Sequence, residues 1–147
     1  MIVVKCTDLD RETLSRIGHF DIKDDGTDYL GVKVKKPWGY EIERYHDEQC
    51  SIWWLHLDPG RQTSMHCHPN KSTLLLMRGG EATLTTLHAK HDLTPGSVVI
   101  IEKGAFHRTT SNGGPVVIYE VETPPNKHDL VRLEDSYGRG QGYEHVA

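Results

Sequence analysis

Between Thr7 and Phe20 the chain is polar and charged, with Leu9, Leu14 and Ile17 spaced for one face of a helix and Gly18 placed to stop it. The stretch from Asp21 to Asp28 is acidic, contains glycine and has no apolar period, so it predicts a connecting loop. From about Tyr29 to Thr123 the texture changes to short runs rich in Val, Ile, Thr and aromatic residues, separated by Gly, Pro, Asn and Asp. The runs at 39–44, 51–57, 62–67, 72–77, 81–87, 97–101, 106–109 and 115–121 predict about eight short strands and an all-β sandwich or barrel. The tail from Pro124 to Ala147 is charged and rich in tyrosine and glycine, with apolar residues gathered at Leu130, Val131 and Leu133. The expected division is an N-terminal extension over 1–30, a β-barrel over 31–123 and an arm over 124–147 that packs on the barrel.

Composition narrows what this pattern can do. A chain of 147 residues, 36% apolar and 26% charged, fits one domain with one core. It has no apolar run long enough to span a membrane, and the opening Met1-Ile2-Val3-Val4-Lys5 is unlike a signal peptide, so a cytoplasmic protein with no membrane partner is expected. Cys6, Cys50 and Cys67 are odd in number and widely spaced, which argues against a disulfide framework. A net charge of -4 disfavours nucleic acid as a partner and leaves room for a local basic pocket that takes a small anion.

Candidate chemistry begins at His66-Cys67-His68-Pro69-Asn70-Lys71. Residues i and i+2 of a strand share a face, so His66 and His68 project together and Cys67 points the other way, as a small buried hydrophobe. Two imidazoles on one face of a strand can ligate a divalent metal. Farther on, Gly96-Ser97-Val98-Val99-Ile100-Ile101-Glu102-Lys103-Gly104-Ala105-Phe106-His107 reads as an apolar strand, a glycine turn and a histidine opening the next strand. Together with Gly60 and Gly79, the spacing of these segments resembles the two-part signature of the cupin superfamily, with Asn112 one place late. That resemblance implies an all-β cupin double-stranded β-helix, a jelly-roll barrel, here with a short N-terminal helix and a C-terminal arm. It also implies a divalent metal ion held by His66, His68 and His107, with zinc, manganese, nickel and iron all open.

The departures from the signature carry information too. Counting three or four residues past His68 reaches Ser72 or Thr73, so the glutamate that completes a cupin metal site is absent, and Ser72 is taken as its position. Glu102 stands where the second motif has proline. Three neutral imidazoles leave a divalent ion its full charge, which suits an anionic substrate or a hydroxide. Glu102, His56 or water remain open as replacements for the missing ligand.

Outside the metal motifs, Lys35-Lys36-Pro37-Trp38-Gly39-Tyr40-Glu41 and Ile118-Tyr119-Glu120-Val121-Glu122, with Asp129-Leu130-Val131-Arg132-Leu133-Glu134-Asp135-Ser136-Tyr137-Gly138-Arg139, resemble the flanking blocks of the type II phosphomannose isomerase cupins. The resemblance implies a mannose-6-phosphate isomerase-like sugar-phosphate isomerase, or a related sugar-modifying enzyme. Arg139, Arg132 and Lys36 are the residues it offers for binding a phosphorylated sugar, since a guanidinium fork matches phosphate. Glu134 and Asp135 are read as partners that fix the arm to the barrel. A three-histidine iron dioxygenase and a non-catalytic sugar- or anion-binding cupin stay open as alternatives. Trp53 and Trp54 must point to opposite faces, with core packing expected for both, and Trp38 is read as a latch on the barrel. A homodimer that uses one of the paired tryptophans fits this picture.

Overall fold

A computed structural model describes residues 1–18, 21–134, 136–138 and 142–143. The helix α1 spans Asp8–Ile17 and begins at a capping box: Thr7 Oγ1 accepts from the Asp10 N–H, and the Asp10 carboxylate accepts from the Thr7 N–H at 2.9 Å. Gly18, at φ 80°, ends it by donating to Leu14 O. The apolar face differs from the expected one. Leu9 is 44% exposed, whereas Asp10 and Thr13 are buried. Leu14 and Ile17 pack on a small cluster of Met65, Cys67, Phe106 and Val131. Burial of Asp10 is sustained because its carboxylate also accepts from the Phe106 N–H at 3.0 Å.

The strands are β1 Ile2–Val4, β2 Lys33–Lys36, β3 Gly39–His46, β4 Ser51–Leu57, β5 Met65–Cys67, β6 Ser72–Gly79 and β7 Ala82–Thr86. They continue as β8 Lys90–Leu93, β9 Val98–Ile101, β10 His107–Ser111, β11 Val116–Thr123, β12 Val131–Glu134 and β13 Gly142–Tyr143. All eight expected strands are present, though the one at 62–67 shrinks to β5, with Gln62 making only an isolated bridge to Thr110. The pattern missed β1, β2, β8, β12 and β13. The sequences of β2 and β8, Lys33-Val34-Lys35-Lys36 and Lys90-His91-Asp92-Leu93, lie at sheet edges, where charge is tolerated and apolar alternation is not required.

Two sheets face each other as a double-stranded β-helix, in the orders β1-β9-β6-β11-β4-β3-β2 and β13-β12-β5-β10-β7-β8. The N-terminal residues pair parallel with β9, and the tail extends the smaller sheet through β12 and β13. Leu57, Leu75, Met77, Leu84, Val99 and Ile118 fill the space between the sheets. In β4 the pleat turns Trp53 inward and Trp54 outward; Trp54 is 38% exposed and stacks on Tyr119 with ring centroids 5.3 Å apart, which corrects the expectation that both would pack in the core. Trp38 is buried in the core and lines the interior cavity. The turn it sits in needs Gly39, because a Cβ there would fall 1.9 Å from His56 O. Among the described residues, no helix is long and apolar enough to cross a membrane.

Candidate metal centre

Three strands of the smaller sheet bring the site together. In the register of β12, β5 and β10, Arg132 lies opposite His66 and His66 lies opposite His107, so the three form one cross-strand row. His68 follows β5 directly and returns to the same face. The ring centroids of His66 lie 5.0 Å from those of His68 and 4.5 Å from those of His107, and the His68–His107 separation is 5.4 Å. One nitrogen from each ring falls within 4.8 Å of the others.

The tautomers follow from the partners. The Nδ1 of His66 lies 2.8 Å from Ser64 O, that of His68 2.8 Å from Asp129 O, and that of His107 3.0 Å from Ala105 O. A carbonyl oxygen can only accept, so each Nδ1 carries the proton and each Nε2 keeps its lone pair. This is the outer-shell arrangement that orients metal-binding histidines. Among the described residues, His68 Nε2 is buried with no hydrogen-bond partner, a cost that a ligand at this point would remove. Burial holds His66 and His68 well below the usual imidazole range and pushes His107 down to about 4, so the rings stay neutral at pH 7. Neutral, lone-pair-bearing nitrogens converging on one point fit a divalent metal ion.

The N-terminal segment holds the third histidine in place. Glu102 accepts from the Cys6 N–H at 2.8 Å and pairs with Lys5 at 3.2 Å. Gly104, at φ +84°, donates to His68 O at 2.8 Å, and Asp10 receives the Phe106 N–H just before His107. Glu102 is therefore spent on the outside of the barrel and does not replace the missing cupin ligand. His56 does not replace it either: it lies on the outer face of β4, stacked on Tyr40 at 4.9 Å. The pleat also corrects the position of the missing carboxylate. Ser72 is exposed, and Thr73 is the buried residue of β6 on the inward side. Asn112 sits in the turn after β10, bonded to Thr83. Cys67 is fully buried, with its thiol pushed up by burial, and is no nucleophile.

Facing the histidines, the larger sheet supplies charge. The cavity is lined on that side by Trp38, Glu41, Trp53, Glu120 and Glu122, and its lining also includes Lys36, Lys71, Lys127 and Arg132. Lys71, 4% exposed, pairs with Glu122, which also accepts from Ser51 Oγ at 2.8 Å. Lys127 pairs with Glu41, whose carboxylate lies 3.8 Å from Lys36. Of the residues proposed from sequence for an anion, Lys36 and Arg132 line this cavity, and Arg139 lies outside the described residues, as does Asp135. Lys71, Glu41, Glu120, Glu122 and Lys127 were missed. Glu120 and Glu122 did carry a signal, being two carboxylates with period two in an otherwise apolar strand, on the face of Val116 and Ile118. A second cluster, Asp28, Glu43 and His46, is exposed at two of its three members and is occupied by the His46–Glu43 contact at 2.8 Å.

Fold and site together define a cupin-type barrel with a buried three-histidine cluster. Residues 53–122 match the family model of the cupin domain, and with the structural neighbours this supports the cupin superfamily. An uncharacterized conserved protein with a double-stranded β-helix domain from Klebsiella pneumoniae superposes with TM-score 0.62 at 18% identity, covering 77% of this chain and all of that one. KdgF from Halomonas sp. gives TM-score 0.59 at 15% identity, over 71% of this chain and 94% of that one. A sugar phosphate isomerase of the cupin superfamily from Silicibacter pomeroyi gives 0.56 at 16%, over 72% and 75%. At these identities the likeness is one of fold. No curated protein matches the chain.

Proposed function

We propose that His66, His68 and His107 hold a divalent metal ion and that the protein is a metal-dependent aldose-ketose isomerase of a phosphorylated sugar, of the mannose 6-phosphate type. The observation that carries this reading is the convergence of three neutral Nε2 atoms, that of His68 buried with no partner among the described residues, on a cavity lined also by Lys36, Lys71, Lys127 and Arg132. The flanking blocks around Trp38 and Arg132 supply the sugar-phosphate preference. Bound there, the metal would act as a Lewis acid toward the sugar oxygens and, with three neutral ligands, keep its full charge. The chain's own part is to orient the rings through Ser64, Asp129 and Ala105, to meet the phosphate with Arg132 and Lys36, and to exclude water with Trp38 and Trp53. Arg139 belongs to the same proposal as a phosphate partner. The exposed Trp54–Tyr119 stack, with the Arg44 guanidinium 4.4 Å from the Trp54 ring, supports a homodimer through the outer face of the larger sheet.

The test is formation of fructose 6-phosphate from mannose 6-phosphate by protein loaded separately with zinc, manganese, nickel or iron. Turnover with at least one metal, abolished by chelation, is the expected result. No turnover with every metal fully bound would overturn this substrate.

A further inference from the structure

The cavity contains a carboxyl group that no other described residue engages. Glu122 is taken by Ser51 and Lys71, and Glu41 by Lys127 and Lys36. Glu120, on the same inward row of β11, makes no hydrogen bond or ion pair among the described residues, yet it lines the cavity with the three histidines. Register explains why: its cross-strand neighbours are Trp53 on β4 and Leu75 on β6, which offer it no donor. A half-buried carboxyl with no partner among the described residues costs stability, and such groups gather where chemistry needs them.

Other candidates for moving a proton are committed elsewhere. The imidazoles use Nδ1 on backbone carbonyls and present Nε2 to the metal position. Lys71 is bound to Glu122 and to Asn126 O at 3.0 Å. The groups that act on Glu120 are Glu122 on its own strand, Glu41 from β3, Lys71 from the turn before β6 and Lys127 from the segment after β11. Burial, then repulsion from Glu122, raises its proton affinity to about 8 against the opposing lysines. A general base works best when it titrates near the operating pH.

We propose that Glu120 is the proton carrier of this cavity: its carboxylate takes a proton from the carbon beside the substrate carbonyl, and the resulting acid returns it to the former carbonyl carbon. In the first step the C–H bond breaks to a Glu120 oxygen, its electron pair becomes the carbon–carbon double bond of an enediolate, and the carbonyl π pair moves onto oxygen. In the second, the hydroxyl proton moves to that oxygen, the neighbouring oxygen becomes the carbonyl, and the Glu120 proton forms the new C–H bond. No oxidant, reductant or net proton is consumed. The assignment rests on the isomerase reading.

The experiment is exchange of the C2 hydrogen of mannose 6-phosphate with deuterated water, followed by proton NMR, with metal-loaded wild type, Glu120→Gln and Glu120→Asp. Glu120→Gln, nearly isosteric, is expected to keep wild-type metal content and calorimetric affinity for mannose 6-phosphate while exchange slows at least about 100-fold. Glu120→Asp, which retains a carboxylate, should recover part of the rate. Wild-type exchange should rise with pH as the carboxyl ionises, and that dependence should vanish in Glu120→Gln. Exchange in Glu120→Gln within a few-fold of wild type would overturn the assignment alone. Absence of exchange in a metal-loaded wild type that still converts mannose 6-phosphate would overturn the assignment alone, whereas absence of conversion would overturn the isomerase reading and the assignment with it.

Discussion

On the six-stranded side of the cavity the titratable rings are neutral and tied to the backbone; on the seven-stranded side carboxylates and ammonium groups are tied to one another. His66, His68 and His107 each spend one nitrogen on a main-chain carbonyl and present the other. Glu122 and Glu41 are held by Lys71 and Lys127, residues remote in sequence. Backbone carbonyls cannot change protonation state and move little, so the first wall is a rigid template for the metal proposed above. The second depends on pairs whose members are each costly to bury alone, and there Glu120 has no partner among the described residues, which is why it is proposed to carry the proton.

The sharpest way to break the contrast is to remove the template. His66→Ala, His68→Ala and His107→Ala should each lower zinc affinity by more than the roughly 10–100-fold that outer-shell changes cause, measured by competition with a chromophoric chelator. If only one of the three matters, the ligand set is wrong. On the opposite wall, Lys71→Met strips Glu122 of its buried partner and should cost about 3–5 kcal/mol in urea unfolding, while Lys71→Met with Glu122→Leu should recover most of it. A loss as large in the double variant as in the single one would show that packing, and not the ion pair, sets the cost.

Asp10→Ala tests whether the N-terminal helix belongs to the histidine wall. It leaves the Phe106 N–H unsatisfied, for an expected loss of about 1–3 kcal/mol. Zinc affinity should fall about tenfold through the loosened His107. Unchanged affinity would confine Asp10 to capping the helix.

The smallest effect is in pH, and the two walls have opposite signs. Since His107 is depressed to about 4, the unfolded chain binds the extra proton between that value and an ordinary histidine pKa, so the metal-free protein loses stability as pH falls through this window. Glu120 is raised to about 8, so the native state binds the extra proton above the ordinary carboxyl range, and stability falls as pH rises toward 8. Urea midpoints of the metal-free protein should therefore decline on both sides. Glu120→Gln should flatten the alkaline limb and His107→Gln the acid one, and an alkaline limb unchanged in Glu120→Gln would show that another group produces it.

Much of the histidine wall was legible because its geometry is local. The i, i+2 spacing of His66 and His68 puts them on one face whatever the rest of the chain does, and a glycine turn before His107 fixes where the next strand opens. The eight central strands were legible for the same reason, since a half-buried strand writes its pleat into the sequence. Edge strands such as β2 and β8 have no such obligation. Lys71 stands in plain view, three residues after His68, yet a turn has no period to tell which way it points. The choice between Ser72 and Thr73 was equally closed to counting, because a shift of one residue reverses the face.

By itself, then, the chain determined the class of fold and the shared face of His66 and His68, which follow from spacing along a pleated backbone, while the resemblance to the cupin signature pointed to His107 and to the absent glutamate. Only the tertiary structure decided that Glu102 and His56 face away, that Asp10 braces the turn before His107, and that Glu41 meets Lys127 across 86 positions while Glu120 meets no partner among the described residues. Those outcomes depend on register between distant strands, where one residue of slip would exchange interior for exterior.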